Sequence, residues 1–369
     1  MKFFSTFSGV EGFGKGITDS IPGAECIGVS EIDKYASQVL KYHYPEVKNY
    51  GDIRKIKPED LPDFEMLCGG FPCQSFSIAG QRLGFDDTRG TLFYEIARIA
   101  KIKRPSILFL ENVKGLLNHE KGRTFKTIIA TLDELGYDAE WELLNSKYFG
   151  VPQNRERVFI IGHLRGRSWT PIFPICDTNK EDTRTIGKEV SYSIDANYAK
   201  GSGGSKNRGR RQIVKQNMQE LKGILEKDAP EKYNMTDKQV EQLTSGPPGR
   251  QKAQRNADRP SLKKNPKAGG SGHIQKVDET YCLDTGATQA VQEEERIRRL
   301  TPRECERLQG FPDDWTTKGI NEKGKTVDIS DSQRYKMMGN AVTVNVIRYI
   351  ASKLKNSIQF NSTKITMEE

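Results

Sequence analysis

Cys73 stands between Pro72 and Gln74, in the run Gly69-Gly70-Phe71-Pro72-Cys73-Gln74-Ser75-Phe76-Ser77. The apolar residues 64–68 before it read as a buried strand that the two glycines end. Pro72 then fixes one backbone torsion beside the thiol. A cysteine at the carboxyl end of a strand in an α/β protein sits where such folds place their chemistry, which points to a nucleophilic thiolate. A single cysteine is more often a small buried hydrophobe, so the assignment rests on its surroundings.

Four further groups have chemistry to offer. Gly9, Gly12 and Gly14 follow a strand and precede helix-like sequence, which lets backbone approach a ligand closely, although not in the GxGxxG order. Glu31 ends the next strand, about 20 residues on, where an acid can take both hydroxyls of an adenosine ribose; a surface carboxylate is the bland alternative. Glu111 ends the apolar run 107–110. A carboxyl buried beside such a strand end can keep its proton and act as an acid, and otherwise serves as a cap or a salt-bridge partner. Arg155 and Arg157, at the start of an apolar strand, are either surface arginines or the field that lowers the thiol pKa from about 8.5 and reaches phosphates.

Strands at 2–6, 25–30, 107–110 and 158–162 must position these groups, with amphipathic helices between them. The helix at 91–103 places Leu92, Ile96 and Ile99 on one face. Alternation of strand and helix implies an α/β fold with a doubly wound, mostly parallel sheet. The rhythm stops near Arg165 and returns near Asp331, with a terminal helix expected to carry Val342, Val346, Ile350 and Leu354. At 369 residues, two cores or one core with a large insertion are expected.

Charge is concentrated in the interval. Residues 200–267 hold 17 Lys and Arg against 7 Asp and Glu, while the whole chain is +9, so the remainder is about neutral. Such a Gly-, Asn- and Gln-rich stretch is either a solvated linker or a surface that tracks phosphates. The six cysteines form no CxxC pair and the four histidines are scattered, so neither a zinc site nor a disulfide framework is indicated. No apolar run approaches the roughly 20 residues that cross a bilayer, and a reducing cytoplasm is the expected setting.

Several short strings occur in a telling order: Phe7-Ser8-Gly9-Val10-Glu11-Gly12-Phe13-Gly14, Glu31, Gly51-Asp52-Ile53, Pro72-Cys73-Gln74, Glu111-Asn112-Val113 and Gln153-Asn154-Arg155-Glu156-Arg157. Arg299-Leu300-Thr301-Pro302-Arg303-Glu304-Cys305, Leu308-Gln309-Gly310-Phe311-Pro312 and Gly339-Asn340-Ala341-Val342 follow. Over nearly its whole length the chain thereby resembles the cytosine-C5 DNA methyltransferases. The resemblance implies a Rossmann-like catalytic domain, 1–170 plus 331–369, with a smaller inserted DNA-recognition domain, 171–330, and a last helix packed back onto the first strand. S-adenosyl-L-methionine would be bound by Phe7, Gly9, Gly12, Glu31, Ile32, Asp52, Ile53, Pro72, Leu92, Asn340 and Val342, with Glu31 on the ribose and Asp52 and Ile53 at the adenine. Family members often carry glycine where this chain has Glu11.

The implied reaction is methyl transfer to carbon 5 of a cytosine flipped out of duplex DNA. Carbon 5 is a poor nucleophile until a thiolate adds at carbon 6, which assigns that addition to Cys73. Glu111 would protonate N3, Asn112 shape the loop, and Arg155 and Arg157 supply the field. Residues 75–90 suit a closing loop, with Gln74, Ser77, Gln81 and Arg82 near the DNA, while Arg208, Arg210, Arg211 and Arg250 are docking candidates. The expected partner is double-stranded DNA, with no metal and no membrane, for a monomer of bacterial or phage type paired with a restriction endonuclease. An RNA-directed relative would be more compact and lack the basic insertion. A catalytically silent DNA-binding relative would have lost Cys73 or Glu111, and both are present.

Overall fold

A computed structural model describes residues 1–72, 91–175, 224–226, 229–234, 273–275, 280–281, 289–293 and 296–365. In chain order the first strands are β1 (Lys2–Thr6), β2 (Glu25–Ser30), β3 (Met66–Gly70), β4 (Ile107–Val113), β5 (Tyr137–Asn145), the two-residue β6 (Gln153–Asn154) and β7 (Glu156–Leu164). All but β6 form one six-stranded sheet in the order β2-β1-β3-β4-β7-β5. β1 to β4 run parallel, and β7 is antiparallel to both β4 and β5. This is the mostly parallel α/β sheet that the strand–helix alternation implied.

The sheet is apolar on both faces because consecutive side chains on a strand point to opposite sides. Phe4, Leu67, Leu108 and Ile160 enter a layer under α3 (Leu92–Lys103) and α4 (Arg123–Glu134). Their chain neighbours Phe3, Met66, Phe109 and Ile161 enter the opposite layer, with Phe13 and Ile17 of α1 (Gly12–Ser20). Burying one such Phe or Leu is worth roughly 1.5–3 kcal/mol, so a one-residue slip in register would forfeit the order of both layers. α2 (Lys34–His43) closes the crossover from β2. The β1–β2 and β3–β4 connections leave in opposite directions, which puts a topological switch point at the carboxyl ends of β1 and β3.

Three local expectations are corrected. Gly69 and Gly70 continue β3, paired with Thr6 and Glu111, so they do not end it. β4 likewise runs on to Val113 because β7 pairs with it through Arg157, which sets Glu111 inside the strand. The terminal helix begins at Val344, after Val342.

The later elements are β8 (His273–Gln275), β9 (Thr280–Tyr281), β10 (Gln289–Glu293), β11 (Arg296–Arg299), α5 (Pro302–Leu308), the hairpin β12 (Lys318–Ile320) and β13 (Thr326–Asp328), α6 (Asp331–Asn340) and α7 (Val344–Ile365). Thr301 and Glu304 form a reciprocal capping box and Pro302 opens the helix, which explains why α5 starts there. Leu308 and Phe311 join Met338 of α6 and Val39 of α2 in a third core. Residues 300–330 therefore pack on the sheet-bearing part of the chain: Gln153 donates to the Leu308 carbonyl (2.8 Å) and Trp315 Nε1 to that of Val10 (3.1 Å). The His43 ring stacks on Trp315 at 3.7 Å. α7 lies along α1, with Ile347 and Ile350 in the layer that holds Phe3, so its main partner is that helix.

Candidate active site

Phe7, Gly9 and Glu11, immediately after β1, all have left-handed backbone (φ 51°, 56° and 67°). For a non-glycine residue this costs roughly 1–2 kcal/mol, and here it folds the chain into a turn that starts α1. The Gly9 amide donates to Glu31 Oε2 (2.7 Å), and Glu31 Oε1 accepts from the Asp33 amide (2.6 Å). Burial raises the Glu31 carboxyl above its ordinary pKa, against the pull of those amides. Asn49 holds the acid from behind, accepting from the Glu31 and Gly51 amides (3.1 and 2.9 Å) and donating to the Glu31 carbonyl.

A cleft of about 360 Å³ opens at the switch point, lined by Phe7, Glu31, Ile32, Asp52, Ile53, Pro72 and Leu92 among others. Seven of the residues expected to bind the cofactor thus meet around one space, and Gly9 reaches it through Glu31. Ile32 is 73% exposed there, an apolar wall of the kind that covers a flat ring. Asp52 caps the short helix Ile53–Lys55 and is held by Arg54 (Nη2 to Oδ2, 2.7 Å); these hydrogen bonds push its pKa down. The other three cofactor candidates lie elsewhere. Gly12 packs on Val342, where a Cβ would come within 2.8 Å of a methyl group, and Asn340 is exposed at the end of α6.

Sequence reasoning missed Ser30, Gly51, Arg54, Thr91 and Glu95, which complete the lining. Glu95 pairs with Arg98 (2.8 Å), whose other arm reaches the Ile53 carbonyl (3.1 Å), so α3 fixes the turn that presents Asp52. The i,i+3 spacing of Glu95 and Arg98 was a readable sign of that pair.

The second cluster sits beyond Pro72. Asn112 is buried, donates to the Phe71 carbonyl (2.7 Å) and accepts from the Val113 amide (2.8 Å), which fixes the backbone just before the Pro72-Cys73 bond. Phe71 anchors the same turn against Phe93 at 5.3 Å. Glu111 leans over Gly70: a Cβ on that glycine would lie 2.7 Å from Glu111 Oε2. Arg157 Nε approaches Glu111 Oε1 at 3.0 Å. Burial nonetheless raises the Glu111 pKa, outweighing the opposing charges of Arg157 and Arg155. Arg155 is buried, and its Nη2 donates to the carbonyls of Gly339 (3.2 Å) and Ala341 (2.8 Å). Its guanidinium thus tethers the end of α6, and its charge also bears on Glu111.

Cys73, Gln74, Ser77, Gln81, Arg82, Arg208, Arg210, Arg211 and Arg250 lie outside the described residues. Among the described residues no three His, Cys, Asp or Glu are grouped to hold a metal, and no helix is long and apolar enough to cross a membrane.

Comparison with known proteins places this geometry. Residues 1–356 match the family model for C-5 cytosine-specific DNA methylases. Over 360 residues the chain is 36% identical to Type II methyltransferase M1.ScrFI of Lactococcus lactis subsp. cremoris, covering 96% of this chain and 77% of that one. It is 33% identical to Type II methyltransferase M.NlaX of Neisseria lactamica, covering 97% of both. Its fold is similar to the crystal structure of the S. pombe Dnmt2 methyltransferase (TM-score 0.63, 18% identity, 98% and 100% covered), a likeness that concerns the fold alone. This protein belongs to the C-5 cytosine-specific DNA methylase family of enzymes.

Proposed function

We propose that this enzyme transfers a methyl group from S-adenosyl-L-methionine to carbon 5 of a cytosine flipped out of a short specific duplex sequence, through a covalent bond between Cys73 Sγ and carbon 6. The observation that carries this reading is the Glu111 carboxyl, buried and shifted toward its protonated form, directly over the strand that leads to Pro72 and Cys73. Thiolate addition at carbon 6 pushes electrons toward N3, and Glu111 gives its proton there. The cofactor, when bound, supplies an electrophilic methyl group. A water molecule then takes the carbon 5 proton, Cys73 leaves as thiolate, and N3 returns its proton to Glu111. Arg157 stabilises Glu111 when it becomes anionic.

The cleft suits that cofactor by its donor set. Glu31 offers a carboxylate to vicinal hydroxyls, Asp52 an acceptor to an exocyclic amine, and Ile32, Phe7, Pro72 and Leu92 apolar walls to the adenine between them. Gly12, Asn340 and Val342 would act by supporting the turn at 7–11 and the end of α6.

Duplex DNA would dock on the basic insertion, with 171–330 as the recognition region and 300–330 as its base on the catalytic core. The Type II methyltransferase relatives support pairing with a restriction endonuclease, and the enzyme is proposed to be monomeric and cytoplasmic. Bisulfite sequencing of plasmid DNA exposed to the purified protein and S-adenosyl-L-methionine tests the reading. Protected cytosines confined to one short motif are expected. Protection nowhere on DNA, with methyl incorporation into RNA, would replace it.

A further inference from the structure

Glu11 has a carboxyl that the proposed chemistry does not use. Its side chain is fully buried, on backbone with φ 67°, at the N-cap of α1. Oε1 accepts the Gly14 amide at 3.0 Å. The hydroxyls of Ser5 and Ser8 lie beside the group and favour its charged form, but neither Oε2 nor the buried Ser5 Oγ is in hydrogen-bond geometry. Burial outweighs them, because a carboxylate here keeps its charge out of water with the Gly14 amide as its well-formed hydrogen bond. A carboxylic acid presents Oε2–H, for which Ser5 Oγ is the acceptor at hand.

The groups around it reinforce the neutral form. Glu31, after β2, faces it as a second carboxylate. Cys26 of β2, Cys68 of β3 and Tyr44 after α2 also feel its charge, and burial raises the pKa of all three, so they remain neutral at physiological pH. Burial pushes Glu11 itself up to about 8.

We propose that Glu11 is a positioning residue for the cofactor: as a neutral acid it locks the turn at 7–11, and the Gly9 amide of that turn holds the carboxylate of Glu31 in place. Ionisation of Glu11 sets a second negative charge against Glu31 and draws the turn open toward water, which releases the Gly9–Glu31 hydrogen bond. Glycine at this position would supply the backbone geometry without the switch. This inference rests on the cleft being the S-adenosyl-L-methionine site.

The test is calorimetric titration of the full-length protein and Glu11→Gln with S-adenosylhomocysteine at pH 7 and pH 9. Wild type should bind about tenfold more weakly at pH 9, since one proton must be regained above pH 8. Glu11→Gln should match wild type at pH 7 and keep its affinity at pH 9; titration of the ligand is common to both proteins and cancels in the ratio. A parallel decline in the two proteins, or none in wild type, overturns the proposal while leaving the cofactor reading intact. Failure of wild type to bind at pH 7 removes both. Glu11→Gly, which the left-handed backbone favours, serves as the non-titrating protein if the glutamine variant does not fold, with the same flat pH response expected.

Thermal unfolding without ligand is the second readout. The folded-state pKa is raised above the ordinary 4.5, so the group's contribution to stability is full below that value and is lost as pH rises toward about 8. Wild type should therefore lose ground to Glu11→Gln between pH 5 and pH 8; equal slopes would also overturn the proposal.

Discussion

Asn112 Nδ2 donates to the carbonyl oxygen of Phe71 across 2.7 Å, tying β4 to the residue that precedes Pro72 and Cys73. The bond is buried and made by a side chain whose other end is held by the Val113 amide, so its direction is fixed by the strand. Asn112→Ala leaves the Phe71 carbonyl without that donor and should cost about 1–3 kcal/mol of stability. The turnover number should fall while the affinity for S-adenosylhomocysteine stays near wild type. Urea unfolding and calorimetry separate the two effects; an unchanged turnover number would remove Asn112 from loop placement.

Cys73→Ser should abolish turnover while leaving DNA and cofactor binding intact, because an alcohol is a far weaker nucleophile near neutral pH. Gel-shift and filter-binding measurements run beside the methyl-transfer assay check this. Near-normal turnover would end the assignment.

Glu111 works as an acid only while protonated. Its pKa is raised by burial, so the protonated fraction is full at low pH and declines as pH rises through that raised value. The rate should therefore carry a descending limb on the alkaline side that Glu111→Gln lacks, at a rate about 10²–10⁴-fold lower. A descending limb that persists in Glu111→Gln would belong to another group.

The two arginines of the same short run should separate. Arg155→Ala removes a buried guanidinium from the carbonyls of Gly339 and Ala341, and a loss of about 1–3 kcal/mol for each orphaned carbonyl is expected in denaturant unfolding. Arg157→Ala, which removes the mostly covered partner of Glu111, should change the pH–rate profile far more than the unfolding midpoint. Equal effects on stability would erase the distinction.

That separation marks where reading the sequence stops. Glu31 could be placed because a strand end is a local signal, while Asp52 and Leu92 followed from the family resemblance, and the three meet at the cleft. Arg155 could not, because its partners Gly339 and Ala341 lie more than 180 residues away and no pattern near Arg155 announces them. β3 and β4 ran past their expected ends for the same reason: Gly70 and Glu111 are held as strand by each other, and Val113 by Arg157 of the antiparallel β7. Trp315 is a further case. Nothing near it in sequence shows that its indole would reach the Val10 carbonyl, three hundred residues away, and cover the outer side of the turn at 7–11. Trp315→Phe keeps the stack on His43 but drops that donor. It should weaken cofactor binding by about 1 kcal/mol, near fivefold, with calorimetry as the measure and no change as the refuting result.

The packing of α7 on α1 joins the two ends of the chain: Ser20 Oγ bonds the Arg348 carbonyl at 2.7 Å and Asp19 pairs with Arg348. On the ribosome, α1 is made long before α7. At ~5–20 residues per second, α1 waits some 15–65 s for the helix that covers this layer. During that interval Phe3, Phe13 and Ile17 lack the cover of Val346, Ile347 and Ile350. A nascent or prematurely terminated polypeptide therefore presents this apolar layer to chaperones or to aggregation.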